Sequence, residues 1–108
     1  MAVLEANASN FNELIQGDYV VVDLYGTYCG ACIELAPIFE AASVDLPLLR
    51  FAHMNIQTCE ENEEIANYYN VKAIPTLLFF RKGELVHRVV GSMDQEMLDG
   101  YLAKLLYE

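Results

Sequence analysis

Apolar positions along this chain change their spacing several times, and each change marks an element. Tyr19–Tyr25 is almost continuously apolar and rich in β-branched and aromatic residues, which predicts a strand covered on both faces. Leu48–Ile56 reads as a second buried strand. Thr76–Phe80 and Glu84–Val90 read as strands joined across Arg81-Lys82-Gly83, with Gly91 ending the second. The remaining segments carry helical signals. Asn10 with Glu13 opens a helix to about Gln16, stopped by Gly17-Asp18. Cys32–Ser43 has apolar Ile33, Leu35, Ala36, Ile38 and Phe39, with a kink expected at Pro37. Thr58 and Glu61 have capping-box spacing, so a helix should run to about Tyr69. Met93–Leu106 closes the chain as an amphipathic helix with Met97, Leu98, Tyr101, Leu102, Leu105 and Leu106 on one side. Strand–helix–strand over Tyr19–Ile56 is a parallel crossover unit. The expected fold class is therefore α/β: a central mixed β-sheet flanked by helices on both faces.

A length of 108 residues fits one domain, 1–108, and no repeat or linker divides it. With 55% hydrophobic residues the chain can build a core without disulfides or metals. Its longest apolar runs, such as Ile74–Phe80, fall far short of the roughly 20 residues of a membrane-spanning helix. Met1–Asn10 has no basic residue and contains Glu5, unlike an export signal, so with Met1 as the start the expected location is cytoplasmic. Sixteen acidic against six basic residues give a net charge of −10. That balance argues against a nucleic-acid partner and against adsorption to a membrane through a basic face. It serves solubility.

Three cysteines are an odd number, and only Cys29 and Cys32 are close in sequence, so a disulfide framework is not expected. By itself a Cys-x-x-Cys pair is a redox couple, half a zinc site, or inert. Here a strand leads into the pair and a helix leads out, the setting of a redox pair. Zinc would need two further ligands, and Cys59, His53 and His87 form no ligand pattern, so no metal is expected. At a helix start the first thiol, Cys29, faces free amides and the positive end of the helix dipole. Both favour the thiolate, which is the nucleophile. Cys32 lies one turn in, within reach of the first sulfur and placed to resolve a mixed disulfide.

Asp23 interrupts the apolar run Val20–Tyr25, and a carboxylate is expensive to bury without a purpose. It either reaches solvent at the strand end or lies beneath the disulfide. In the second position, six residues before Cys29, it could serve Cys32 as a base through water, with burial raising its pKa. Pro75 in Ile74-Pro75-Thr76 opens a strand, one of the few places a sheet tolerates proline; from the sequence a simple strand-start proline would be trans.

Taken together these residues resemble the thioredoxin family over nearly the whole chain. Val22–Cys32 looks like the family's strand and active-site loop, and Pro37 sits where the family has its kinking proline. Ile74-Pro75-Thr76 resembles the cis-proline loop, Lys82-Gly83-Glu84 the hairpin turn, and Val90-Gly91 the glycine near the active site. The resemblance implies Cys29 as nucleophile, Cys32 as resolving thiol, Asp23 as buried base and a cis bond before Pro75. It implies a rim of Tyr28, Gly30, Ala31, Ile74, Pro75 and Gly91 that docks disulfide-containing protein substrates. It further implies a monomer that carries electrons in cellular redox homeostasis, binds no cofactor itself and is re-reduced by a flavin-containing thioredoxin reductase.

Several positions depart from the family pattern. Tyr25 and Tyr28 stand where tryptophan is usual, Ala31 where proline is usual, and His53 where lysine is usual. Ala31 adds an amide donor at the helix start, which favours a more oxidising pair, while Ile33 and Glu34 lower the local positive charge and oppose it. Besides a general reductase, a reductase dedicated to one partner or a non-catalytic interaction module would fit the fold. The trio Cys29, Cys32 and Asp23 argues against the last. Cys59 reads as an ordinary thiol among Glu60, Glu61, Glu63 and Glu64, and His53 and His87 read as strand residues without a catalytic partner.

Overall fold

The alternation of apolar strands and amphipathic helices closes into a layered arrangement in the computed structural model, which describes residues 2–108. The order is β1 (Val3–Glu5), α1 (Phe11–Leu14), β2 (Val20–Tyr25), α2 (Gly30–Asp45), β3 (Arg50–Asn55), α3 (Glu60–Tyr68), β4 (Thr76–Arg81), β5 (Glu84–Val90) and α4 (Gln95–Tyr107). The strands form a five-stranded sheet in the order β1-β3-β2-β4-β5. β2 and β1 both run parallel to β3, and β4 runs antiparallel to β2 and to β5, so the sheet is mixed as expected.

Alternation along the strands divides the core in two. Val21, Phe51, Leu77 and Phe79 face Leu35, Phe39 and Ala42 of α2 and Leu98, Leu102 and Leu105 of α4. On the other side Val20, Val22, Leu24, Ala52, Met54, Leu78 and Phe80 meet Phe11 and Leu14 of α1 and Ala66 of α3. β2 is thereby covered on both faces, which is why its sequence is apolar without interruption except at Asp23. No helix among the described residues is long and apolar enough to cross a membrane.

Several local expectations are corrected. β1 has no counterpart in the sequence reading: it is three residues long, with only Val3 turned inward, too short to show a period. The Asn10 side chain does not cap α1. Its Oδ1 accepts from the Asn7 amide at 2.8 Å, while the Asn7 carboxamide oxygen accepts from Ser9 and Asn10. The Thr58–Glu61 capping box does not form either, because Cys59 takes the N-cap position and the Thr58 hydroxyl donates to the Asn55 carbonyl at 3.3 Å. β3 begins at Arg50, and Leu48 is exposed. In α2 the inner face is Cys32, Leu35, Phe39 and Ala42, so Ile33 and Ala36 lie outside it. In α4, Asp94 caps the helix by accepting from the Met97 amide at 2.9 Å, and Met97 itself points outward.

Candidate active site

β2 delivers the chain to the mouth of the site and α2 carries it away. Between them, residues 26–29 form a loop held at both ends. Gly26 is at its root. A Cβ here would come within 2.5 Å of Ile74 Cδ1 and 2.6 Å of the Gln57 side chain, so only glycine fits without displacing them. Gln57 Oε1 accepts from the Thr27 amide at 2.9 Å, and the Asn55 carboxamide donates to Thr27 Oγ1 at 3.2 Å. These bonds fasten the loop to the end of β3.

Cys29 is the N-cap residue of α2, with extended backbone, and its Sγ accepts from the Cys32 amide at 3.2 Å. The two cysteines are joined in a disulfide with Cα atoms 5.2 Å apart. Cys29 is half-buried and Cys32 buried, so the outer sulfur is the one a substrate can reach. Reduced, that outer sulfur faces the opening amides of a 16-residue helix whose first turn carries no acidic side chain, a setting that stabilises a thiolate. Pro37 cannot supply an amide to the Ile33 carbonyl, so the first turns of α2 are partly uncoupled from the rest.

Asp23 does not reach solvent at the strand end. It is 4% exposed, on the face of β2 that turns toward α2, and its Oδ1 has no hydrogen-bond partner among the described residues. Burial pushes its pKa from the ordinary 3.8 up to about 7. Asp23 and Cys32 line one open cleft of about 380 Å³ together with Tyr25, Gly26, Thr27, Ile33, Ala36, His53 and Asn55. A carboxylate poised near neutrality and a buried thiol thus share a solvent-accessible space, which suits proton transfer through water.

The other loops converge on the same end. The Ile74–Pro75 bond is cis, so the trans bond expected of a simple strand-start proline is corrected in favour of the one the resemblance implied. Pro75 is buried, and its carbonyl accepts from the Gly91 amide at 2.8 Å. Gly91 adopts φ +100°, a left-handed conformation that favours glycine. The next residue, Ser92, donates to Glu34 of α2 at 3.1 Å. Ile74, Pro75 and Gly91 are therefore tied to Gly26 and α2, while Tyr28, Gly30 and Ala31 stand exposed around Cys29. Tyr28 is 97% exposed, and Ile33 adds an outward apolar side chain at the cleft. Two features were not legible in the sequence: the Glu34–Ser92 contact, and the place of His53 in the cleft beside Asp23, with Nε2 3.0 Å from Glu5 Oε1. Cys59 is free and exposed. Among the described residues no three His, Cys, Asp or Glu side chains could hold a metal ion.

A mixed sheet whose central strand leads into a helix capped by its own Cys-Gly-Ala-Cys disulfide is the framework of a dithiol–disulfide oxidoreductase. Comparison with known proteins agrees. The sequence model of the family described as Thioredoxin matches residues 2–104. A thioredoxin of Chlamydia pneumoniae is 38% identical over 98 residues, covering 91% of this chain and 93% of its own. One of Staphylococcus haemolyticus is 37% identical over 106 residues, covering 98% and 100%. Among solved structures, mitochondrial thioredoxin 3 of Saccharomyces cerevisiae in its oxidized form superposes with a TM-score of 0.84 at 26% identity, covering 96% of each chain. The chain belongs to the thioredoxin family and has its fold. Its activity is protein-disulfide reduction by dithiol–disulfide exchange through Cys29 and Cys32.

Proposed function

We propose that this protein is a general reductant of exposed disulfides in other proteins, working as a one-domain monomer in the cytoplasm. The observation that carries the proposal is the unequal burial of two sulfurs at one helix N-terminus. In the reduced protein the Cys29 thiolate attacks a substrate disulfide, displacing one substrate sulfur and leaving the other bonded to Cys29. Cys32 then attacks Cys29 Sγ, the second substrate sulfur leaves, and the protein disulfide closes. The Cys32 proton passes through water to Asp23, whose raised pKa lets it take that proton near neutrality. Tyr28, Gly30, Ala31, Ile74, Pro75 and Gly91 provide the docking surface, where a mostly apolar rim can receive an extended segment around the substrate cysteine. Electrons return from a thioredoxin reductase, which places the protein in electron transport for redox homeostasis.

Turbidimetric reduction of insulin by dithiothreitol tests the activity directly. Catalytic amounts of this protein should bring forward the precipitation of the insulin B chain, and Cys29→Ser should abolish the acceleration. Precipitation no faster than with dithiothreitol alone would remove the reductase reading.

A further inference from the structure

Outside the disulfide, the most unusual grouping of ionisable side chains lies across the sheet. Glu5, His53 and Asp23 occupy the same register position on β1, β3 and β2, with His53 the Cα partner of both carboxylates. Side chains in register on neighbouring strands share a face and stand about 4.8 Å apart. Phe51, two residues before His53, and Val21, two before Asp23, both lie in the core beneath α2, so the row is on the side of the cysteines. His53 lines the cleft that holds Asp23 and Cys32. Its Nε2 is 3.0 Å from Glu5 Oε1, which leaves Nδ1 for a second partner, while Asp23 Oδ1 has none among the described residues. His53 is about a third exposed and Glu5 about two-thirds, so the row runs from a buried acid to open water. The Tyr25 ring lies 5.3 Å from the imidazole, and its phenol is shifted upward by burial, then by Glu5, then by Asp23, so both carboxylates face one wall. The groups around the ring are thus Asp23 and Tyr25 from β2, Glu5 from β1 and Cys32 from α2.

We propose that His53 is a positioning residue for catalysis, an imidazole that moves the Asp23 proton to and from solvent while Glu5 holds its ring. The inference rests on the reading of Asp23 as the base for Cys32. When Cys32 resolves the mixed disulfide, its proton goes to the Asp23 carboxylate and its sulfur bonds to Cys29 Sγ. The Cys29–substrate bond breaks, and the substrate sulfur leaves with the electron pair, so the cysteine pair is oxidised by two electrons and the substrate reduced by two. Asp23 passes that proton on in the same step, so the rate at which the substrate sulfur leaves depends on the relay. A neutral imidazole beside it accepts the proton, and the imidazolium, stabilised by the Glu5 carboxylate, releases it to water. Imidazole is suited to this step because one ring nitrogen can accept a proton while the other donates one.

The test is the single-turnover rate of substrate release from the Cys29 mixed disulfide, followed from mildly acidic to mildly alkaline pH. His53→Ala should slow release about tenfold near neutrality, less than the ~100-fold or more of a group that acts on the reacting atoms directly, because His53 acts through Asp23, and change the shape of the pH profile. Added imidazole should restore most of the rate to His53→Ala and none to His53→Gln, whose amide fills the space without titrating. Glu5→Gln should show a smaller loss. An unchanged profile in His53→Ala, or a loss equal at every pH and indifferent to imidazole, would overturn the proposal. Asp23→Asn in the same assay separates the two levels. If it slows release while His53→Ala does not, the base stands and the relay falls; if it too has no effect, the reading of Asp23 has failed.

Discussion

Asp23 is held in a form that stability alone would not choose. Its carboxyl titrates at about 7 in the fold against an ordinary 3.8, so between those values the folded protein binds a proton that the unfolded chain does not. Stability must therefore fall as pH rises through that window, and above it the buried charge costs about 4 kcal/mol at most. Asp23→Asn, neutral at every pH, should raise the urea midpoint above pH 7 and lose that advantage below pH 3.8. A stability difference independent of pH would show that the carboxylate is not desolvated in solution. Asp23 was legible because a single charge inside an apolar strand has few explanations. His53 was not. Its significance depends on which residues of β1 and β2 lie beside it, and register between parallel strands leaves no local trace.

Among the elements, those with long or uninterrupted patterns were readable: β2, β4, β5, α2 and α4 all lie within a few residues of their expected positions. Short-range polar signals misled. Asn10 and Thr58 have the right residue types for caps, but both side chains make turn contacts before their helices begin. The loop into α2 depends on another such detail. Gly26→Ala pushes a Cβ against Ile74 and Gln57, the two side chains that link the loop to the cis-proline segment and to the end of β3. Both clashing groups are ends of flexible side chains, so the cost in stability should stay near the ~1 kcal/mol of one hydrogen bond. Insulin reduction should fall several-fold all the same, because the Thr27–Gln57 bond that fixes the loop is displaced. Denaturant midpoint and turbidity rate measured on the same sample check this, and a rate equal to wild type would show that the loop tolerates the displacement.

Across the whole molecule, the two core layers enclose β2 and one of them holds α2, which leaves Cys32 buried and the Cys29 sulfur at the surface. The distribution of roles between the cysteines follows from that placement and is open to direct measurement. Cys32→Ser, incubated with a disulfide substrate and mapped by mass spectrometry without reductant, should accumulate a stable adduct on Cys29. Peptide mapping separates it from any adduct on exposed Cys59. An adduct that builds up instead on Cys32 of Cys29→Ser, with none on Cys29 of the first variant, would contradict the assignment of the outer sulfur as nucleophile.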